Sequence, residues 1–217
     1  MSQINQPHGK GLLIALEGID GTGKTTQAGR LKEYLQGKEL AVVLTKEPTD
    51  GYWGKRIRQL PFVGEDMSET QLKERARQEL ELFINDRQEH VEQVIAPALA
   101  QGKVVITDRY YFSTMAYQGA MTLNIEEIRA LNEGFAPPPD LVIILLVSPK
   151  AALARIKKNR KKGLDPFERE KYLNDVQRIY QNLHEPYVKI VDANETTEEV
   201  ARNIQARVDE LLEQIKD

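Results

Sequence analysis

The stretch GIDGTGKT, residues 18–25, limits this chain more than any other part of it. It satisfies the spacing G-x-x-x-x-G-K-[ST], follows an apolar run, LLIAL at 12–16, and precedes a helix-like stretch, TTQAGRLKEYLQG. A strand that turns through glycines into a helix can aim several backbone N–H groups and a positive helix end at one spot, which is how phosphate is cradled. In that setting Gly18, Ile19, Asp20, Gly21, Thr22 and Gly23 form the cradle wall, Lys24 reaches the β- and γ-phosphates, the Thr25 hydroxyl ligates Mg²⁺, and Thr26 follows at the helix start. The plainer alternative is a glycine-rich turn that merely joins strand to helix. The full motif in its expected context argues against it.

Four more apolar runs punctuate the chain: AVVLT (41–45), VVIT (104–107), LVIILLV (141–147) and VKIV (188–191). Their lack of polar alternation predicts strands covered on both faces, hence a parallel sheet flanked by helices and a doubly wound α/β fold. Between the second and third runs, Ser68 with Gln71 resembles a capping box. Leu72, Ala76, Leu80, Phe83, Arg87, Val91, Val94 and Ile95 recur at helical spacing, predicting one long helix that ends between Pro97 and Gly102. Pro137, Pro138 and Pro139 stiffen the entry to the fourth strand.

A chain of 217 residues fits one domain, or one domain with a mobile insertion. It has no run of 18 apolar residues, so no membrane span is expected. The polar opening MSQINQPHGKG lacks the apolar core of a secretory signal and is expected to be a short disordered lead-in, with a cytoplasmic location. The chain has no cysteine, which excludes disulfides, thiolate metal sites and thiol catalysis. A formal charge of -3 gives no basic field for nucleic acid. The one strong charge run, RIKKNRKKG (155–163), lacks interleaved aromatics, which makes nucleic acid its weakest partner. It is either a solvated helix face or a lid that brings cations to a transferring phosphoryl group.

The third apolar run leads into TDRYY. Asp108 is placed like the acidic strand end that organises Mg²⁺ in P-loop proteins, and Arg109 should face the same crevice as Lys24. By itself the Asp-Arg pair could equally be a surface salt bridge. Phe83 and Arg87, four residues apart, share a helix face; a Phe ring can stack on a base and an Arg can donate to a base carbonyl. Their plain alternative is a core Phe and a solvent Arg. The P-loop holds no arginine, so a lid could supply the missing cation.

Taken together, LEGIDGTGKTTQ, EP (47–48), LFINDRQEHVEQVIAPALAQG, TDRYYFSTMAYQG, SPKAALAR and VDANETTEEV resemble the thymidylate kinase family over nearly the whole chain. That resemblance implies a three-layer α/β/α P-loop NTPase fold with a five-stranded parallel sheet, a single domain over 1–217 and a mobile lid over about 155–168. It implies transfer of the γ-phosphoryl group of ATP, with Mg²⁺, to dTMP, giving dTDP for dTTP synthesis. It also implies a homodimer with neither nucleic acid nor membrane as partner. By resemblance, Asp20 approaches the acceptor sugar's 3'-hydroxyl, Phe83 stacks on thymine, and Arg87 donates to its carbonyl. Arg109 grips the acceptor phosphate, while Asp108 organises Mg²⁺ and that phosphate. Glu47, Pro48, Ser113, Thr114 and Gln118 line the acceptor pocket, and Tyr117 crowds the sugar's 2' position. Arg155 and Arg160 are the candidate lid cations, and Asp192, Ala193 and Asn194 form the loop beside adenine.

Two departures stand out. KEPTDGYWG replaces the REPGGT of many bacterial relatives, so Lys46 stands in for an arginine, with Lys55, Arg56 or Arg58 as possible compensation. DPFE (165–168) puts Pro166 where an arginine is common. Two other functions stay open from the residues: a kinase for another nucleoside monophosphate, and a nucleotide-hydrolysing switch. No base-reading NKxD sequence supports a GTPase.

Overall fold

A computed structural model describes residues 11–60, 67–157 and 166–215. The opening segment and most of the basic run, Arg160 included, lie outside the described residues. Five parallel strands, β1 (Leu12–Glu17), β2 (Val42–Lys46), β3 (Val104–Asp108), β4 (Leu141–Leu146) and β5 (Val188–Asp192), pair in the order β2-β3-β1-β4-β5. Each matches one apolar run. β1 and β3 are buried along their whole length. The edge strands differ: Leu44 of β2 is 38% exposed and Ile190 of β5 46%. An apolar residue on an outer strand has a neighbouring strand on one side only, and these two stay partly exposed.

Helices α1 (Lys24–Gly37) and α9 (Thr197–Gln214) pack together over one face of the sheet. The other face carries α3 (Glu69–His90), α5 (Tyr111–Ala120), α6 (Ile125–Glu133) and α8 (Pro166–Gln181), which pack through α5. Helix α2 (Tyr52–Gln59) rests on α3, and α7 (Pro149–Lys157) on α8. Among the described residues no helix is long and apolar enough to cross a membrane.

Ser68 caps α3 with the reciprocal bonds expected of it: its Oγ accepts from Gln71 N–H and Gln71 Oε1 accepts from Ser68 N–H. The long helix then widens into a π turn at Val91–Ile95, with the Ala96 N–H bonding the Val91 carbonyl, and runs on as α4 (Ala96–Ala100). This turn carries the helix past Pro97, which has no N–H to bond one turn back. Pro166 takes the first position of α8, where a missing N–H costs nothing. The proline-rich entry to β4 is fixed by Asp140, whose carboxylate accepts from Leu13 N–H at 2.7 Å and whose own N–H bonds the Leu13 carbonyl at 2.9 Å.

Strand register brings Asp108 level with Leu16 of β1 and with Lys46 of β2. The P-loop, the Asp108–Arg109 corner, the loop after β2 and residues 192–194 thus meet beyond the carboxyl ends of the strands, where open α/β sheets bind ligands.

Candidate active site

The P-loop is backbone geometry first. Gly18 and Gly21 adopt φ +133° and +87°, and a Cβ would meet the Leu145 carbonyl oxygen at 2.5 Å from Gly18 and that of Ala152 at 2.6 Å from Gly21. Both positions therefore require glycine. Ile19 and Thr22 are buried, Asp20 and Thr26 exposed. Helix α1 starts behind Gly23 with no side-chain cap, leaving its first N–H groups to whatever enters the crevice. Lys24 Nζ donates to the Ile19 carbonyl at 3.0 Å. Burial, then the nearby Arg109 cation, pull its pKa down to about 8 against the opposing carboxylates of Asp20, Asp108 and Glu17.

Thr25 Oγ1 donates to Asp108 Oδ2 at 2.5 Å. One hydroxyl and one carboxylate are hard oxygen donors that suit Mg²⁺, and no cluster of three or more His, Cys, Asp or Glu able to hold a metal occurs among the described residues. A site with two protein oxygens fits an ion that takes its remaining ligands from phosphates and water. Beside this pair lies a cavity of about 350 Å³ lined in part by Lys46, Thr49, Asp50 and His90.

Helix α5 organises the side of the crevice facing away from the cradle. Ser113 and Tyr117, one turn apart, both meet Arg109: Nη1 donates to Ser113 Oγ at 2.8 Å, Nη2 to the Tyr117 hydroxyl at 3.4 Å, and the guanidinium lies 5.2 Å from the Tyr117 ring centroid. Nη2 also donates to Asp20 Oδ1 of the P-loop at 2.7 Å. Burial works against the charge, but Tyr117, Asp20, Tyr180 and Glu17 outweigh it and hold the Arg109 pKa well above its usual value.

Thr114 and Gln118 form the neighbouring stripe. Arg87 is 1% exposed, so it is no solvent arginine, while Phe83 is half-buried and outside the main core cluster. The arginine of the plain alternative is thus buried rather than solvated, and its Phe is only partly buried. Arg87 Nε and Nη2 donate to Glu47 Oε2 at 2.9 and 2.6 Å, Nη1 to Asn132 Oδ1 at 2.6 Å, and Nη2 to Thr114 Oγ1 at 3.1 Å. Among the described residues these bonds use four of the five guanidinium N–H groups and leave one, on Nη1. Glu47 also faces His90 Nδ1 at 3.0 Å, and His90 Nε2 meets Thr45 Oγ1 at 2.6 Å. Burial pushes the Glu47 pKa up, but the Arg87 charge and the His90 contact prevail and hold it below the ordinary carboxylate range. Gln118 Nε2 donates to Glu79 Oε2 at 2.9 Å, which fixes the orientation of the amide; its Oε1 is buried with no hydrogen-bond partner among the described residues.

The altered loop after β2 is held from inside. Glu47 and Pro48 are joined by a cis peptide, and Asp86 accepts from Thr49 N–H and Oγ1 at 2.8 and 2.6 Å. Arg58 donates to the carbonyls of Pro48 and Thr49 and, like Lys46, pairs with Asp50. Arg56 bonds the Tyr52 hydroxyl. Of the possible compensating cations, Arg58 serves to clasp the loop.

At the opposite end, Arg155 donates to the Gly21 carbonyl at 3.4 Å and the Ala193 carbonyl at 3.0 Å, joining the P-loop to the loop after β5. Asp192 Oδ1 accepts from both nitrogens of Asn194, and Ala193 is buried between them. Arg160 lies outside the described residues.

Sequence patterns did not point to Glu17, Asn132, His90 or Tyr180. Glu17 gave one signal, a charge closing an otherwise apolar strand. Asn132 and Tyr180 gave none, because their partners are 45 and 163 residues away.

A sequence model described as thymidylate kinase matches residues 16–204. A thymidylate kinase of Akkermansia muciniphila is 45% identical over 195 residues, covering 90% of each chain. One of Desulfotalea psychrophila is 41% identical over 202 residues, covering 93% of this chain and 96% of its own. One of Xanthomonas oryzae pv. oryzae is 45% identical over 198 residues, covering 90% and 82%.

Proposed function

The chain belongs to the thymidylate kinase family, and on that premise we propose that it transfers the γ-phosphoryl group of ATP directly to the 5'-phosphate of dTMP. The observation that carries this is the 2.7 Å pair between Arg109 and Asp20. It bonds the cation at the head of the α5 pocket to a residue of the phosphate cradle, so two phosphates held at these places are neighbours.

In the proposed reaction an oxygen of the acceptor phosphate forms a bond to the γ-phosphorus while the bond from that phosphorus to the β–γ bridging oxygen breaks, releasing ADP. The acceptor phosphate is already a competent nucleophile, so positioning and charge placement dominate over base catalysis. Lys24 holds the β- and γ-phosphates. Arg109 holds the acceptor phosphate, which competes with Asp20 for it and frees the Asp20 carboxylate for the sugar 3'-hydroxyl. Thr25 and Asp108 would hold Mg²⁺, which when bound neutralises phosphate charge. Arg155 keeps the two walls of the donor site together, and Arg160, with the rest of the basic run, supplies the lid cation.

Base selection follows from donor and acceptor chemistry. Among the described residues Arg87 retains one N–H without a partner, and Gln118 Oε1 lacks a donor. Thymine offers a carbonyl next to a ring N–H, which complements both; cytosine offers an amino group next to a bare ring nitrogen, which opposes both. Phe83 supplies the stacking surface. The test is ADP formation from MgATP with dTMP and with no acceptor: turnover that requires dTMP and yields one dTDP per ADP is expected, and acceptor-independent hydrolysis would overturn the proposal. The homodimer, the cytoplasmic location and the single-domain organisation with its lid are part of the same proposal, supported by the family resemblance.

A further inference from the structure

Glu17 closes β1, directly before the P-loop, and is fully buried. A carboxylate in such a place needs donors for both oxygens. Its Oε1 accepts the backbone N–H groups of Tyr110 at 2.7 Å and Ser113 at 3.2 Å. Its Oε2 accepts the Ser113 hydroxyl at 2.6 Å and the Tyr180 hydroxyl at 2.9 Å.

Tyr110 is the N-cap of α5, and its own side chain makes no capping bond. Glu17 therefore does from β1 what a capping box does from within: it accepts the N-cap N–H and the third helical N–H, the latter shared with the Tyr110 carbonyl at 3.0 Å, and when ionised it places a negative charge at the positive helix end. Arg109, immediately before that cap, has φ +76°, a left-handed conformation unfavourable for a residue with a Cβ. Its N–H bonds the Leu16 carbonyl at 2.9 Å, and its carbonyl accepts the Thr107 hydroxyl at 2.7 Å. Its Nη1 donates to the same Ser113 hydroxyl that donates to Glu17. Tyr180 adds α8 to this point, with its hydroxyl 3.1 Å from Ser113 Oγ.

We propose that Glu17 is a positioning residue for the acceptor: by capping α5 from β1 and directing the Ser113 hydroxyl, it holds Arg109 in the geometry that receives the acceptor phosphate. The proposal rests on the assignment of Arg109 to that phosphate. A residue needed only for folding would change stability and leave the two substrates' KM values in their original ratio.

Glu17→Gln keeps an oxygen for the two backbone N–H groups, but its amide must donate where the carboxylate accepted. The Ser113 and Tyr180 hydroxyls then have to turn around. The KM for dTMP should rise by roughly five- to thirtyfold while the KM for ATP stays within about twofold. Tyr180→Phe removes one of the four bonds and should raise the KM for dTMP by roughly two- to fivefold, again sparing ATP. Should Glu17→Gln fail to fold, Tyr180→Phe decides by the same criterion. An unmoved dTMP KM in the folded variants, or dTMP and ATP values rising in step, would overturn the role of Glu17 and leave the kinase assignment intact. Lack of dTMP turnover in the unsubstituted protein would overturn both.

Discussion

The two sides of the crevice are made of different material. On the side proposed for the donor, the P-loop and residues 192–194 present backbone groups, shaped by glycines and fastened through Arg155 at two carbonyl oxygens. On the side proposed for the acceptor the work falls to side chains: the buried Glu47, Arg87, Asn132, Thr114 and His90 around one centre, and the buried Ser113 with the partly buried Arg109 and Tyr117 and the exposed Asp20 around the other. A backbone site tolerates changes to exposed side chains and fails on glycines. A side-chain site ties binding to folding, since each charge in it needs its partner.

The largest effect is expected from Arg87→Ala. It leaves Glu47, 5% exposed, as a buried charge without its guanidinium partner and with only the His90 contact, costing about 3–5 kcal/mol and lowering Tm by roughly 6–20 °C. Calorimetry on the purified variant checks this, and a Tm within a degree or two of the parent would show that the network is not the structural unit described. Arg109→Ala comes next: loss of a charged contact to phosphate should lower kcat/KM for dTMP by at least about tenfold, mainly through KM. A parallel loss for ATP would blur the division between the two sides.

On the donor side the sensitive group is Lys24, with its pKa near 8. Phosphate favours the ammonium form. Below pH 8 the free protein already carries it; above, binding must take up a proton, and ATP affinity should fall by up to about tenfold per pH unit. Titration calorimetry at pH 7 and pH 9 measures it, with proton uptake at pH 9 as the signature. The smallest effect belongs to Asn194→Ala. Asn194 is exposed and bonds only Asp192 among the described residues, so the KM for ATP should change by less than about twofold. A tenfold change would mean that side chains read the donor after all.

The same contrast explains what could be read from the chain. The cradle was legible because its physics is local: a strand, three glycines, a lysine and a helix start in fourteen residues. The strands were legible for a similar reason, each being one apolar run. Even so, that pattern overstated the burial of β2 and β5, because position at a sheet edge is set by topology. On the acceptor side only the resemblance linked Phe83, Arg87 and the α5 residues. Spacing favoured a core Phe and a solvent Arg, and the burial of Arg87 depends on Glu47 and Asn132, 40 and 45 residues away from it. The role of Arg58 was open for a related reason, since its partners are loop carbonyls that only the folded β2–α2 turn brings within reach.

Choice of the acceptor base by side chains on α3 and α5, through its pattern of donors and acceptors, is the proposed property on which the contrast between the two sides depends. Its most direct test is the ratio of kcat/KM for dTMP to that for dCMP at saturating MgATP. With one remaining Arg87 N–H and a Gln118 carbonyl that has no partner among the described residues, dTMP should be preferred by at least about a hundredfold. Equal use of the two, or a preference for dCMP, would contradict the account.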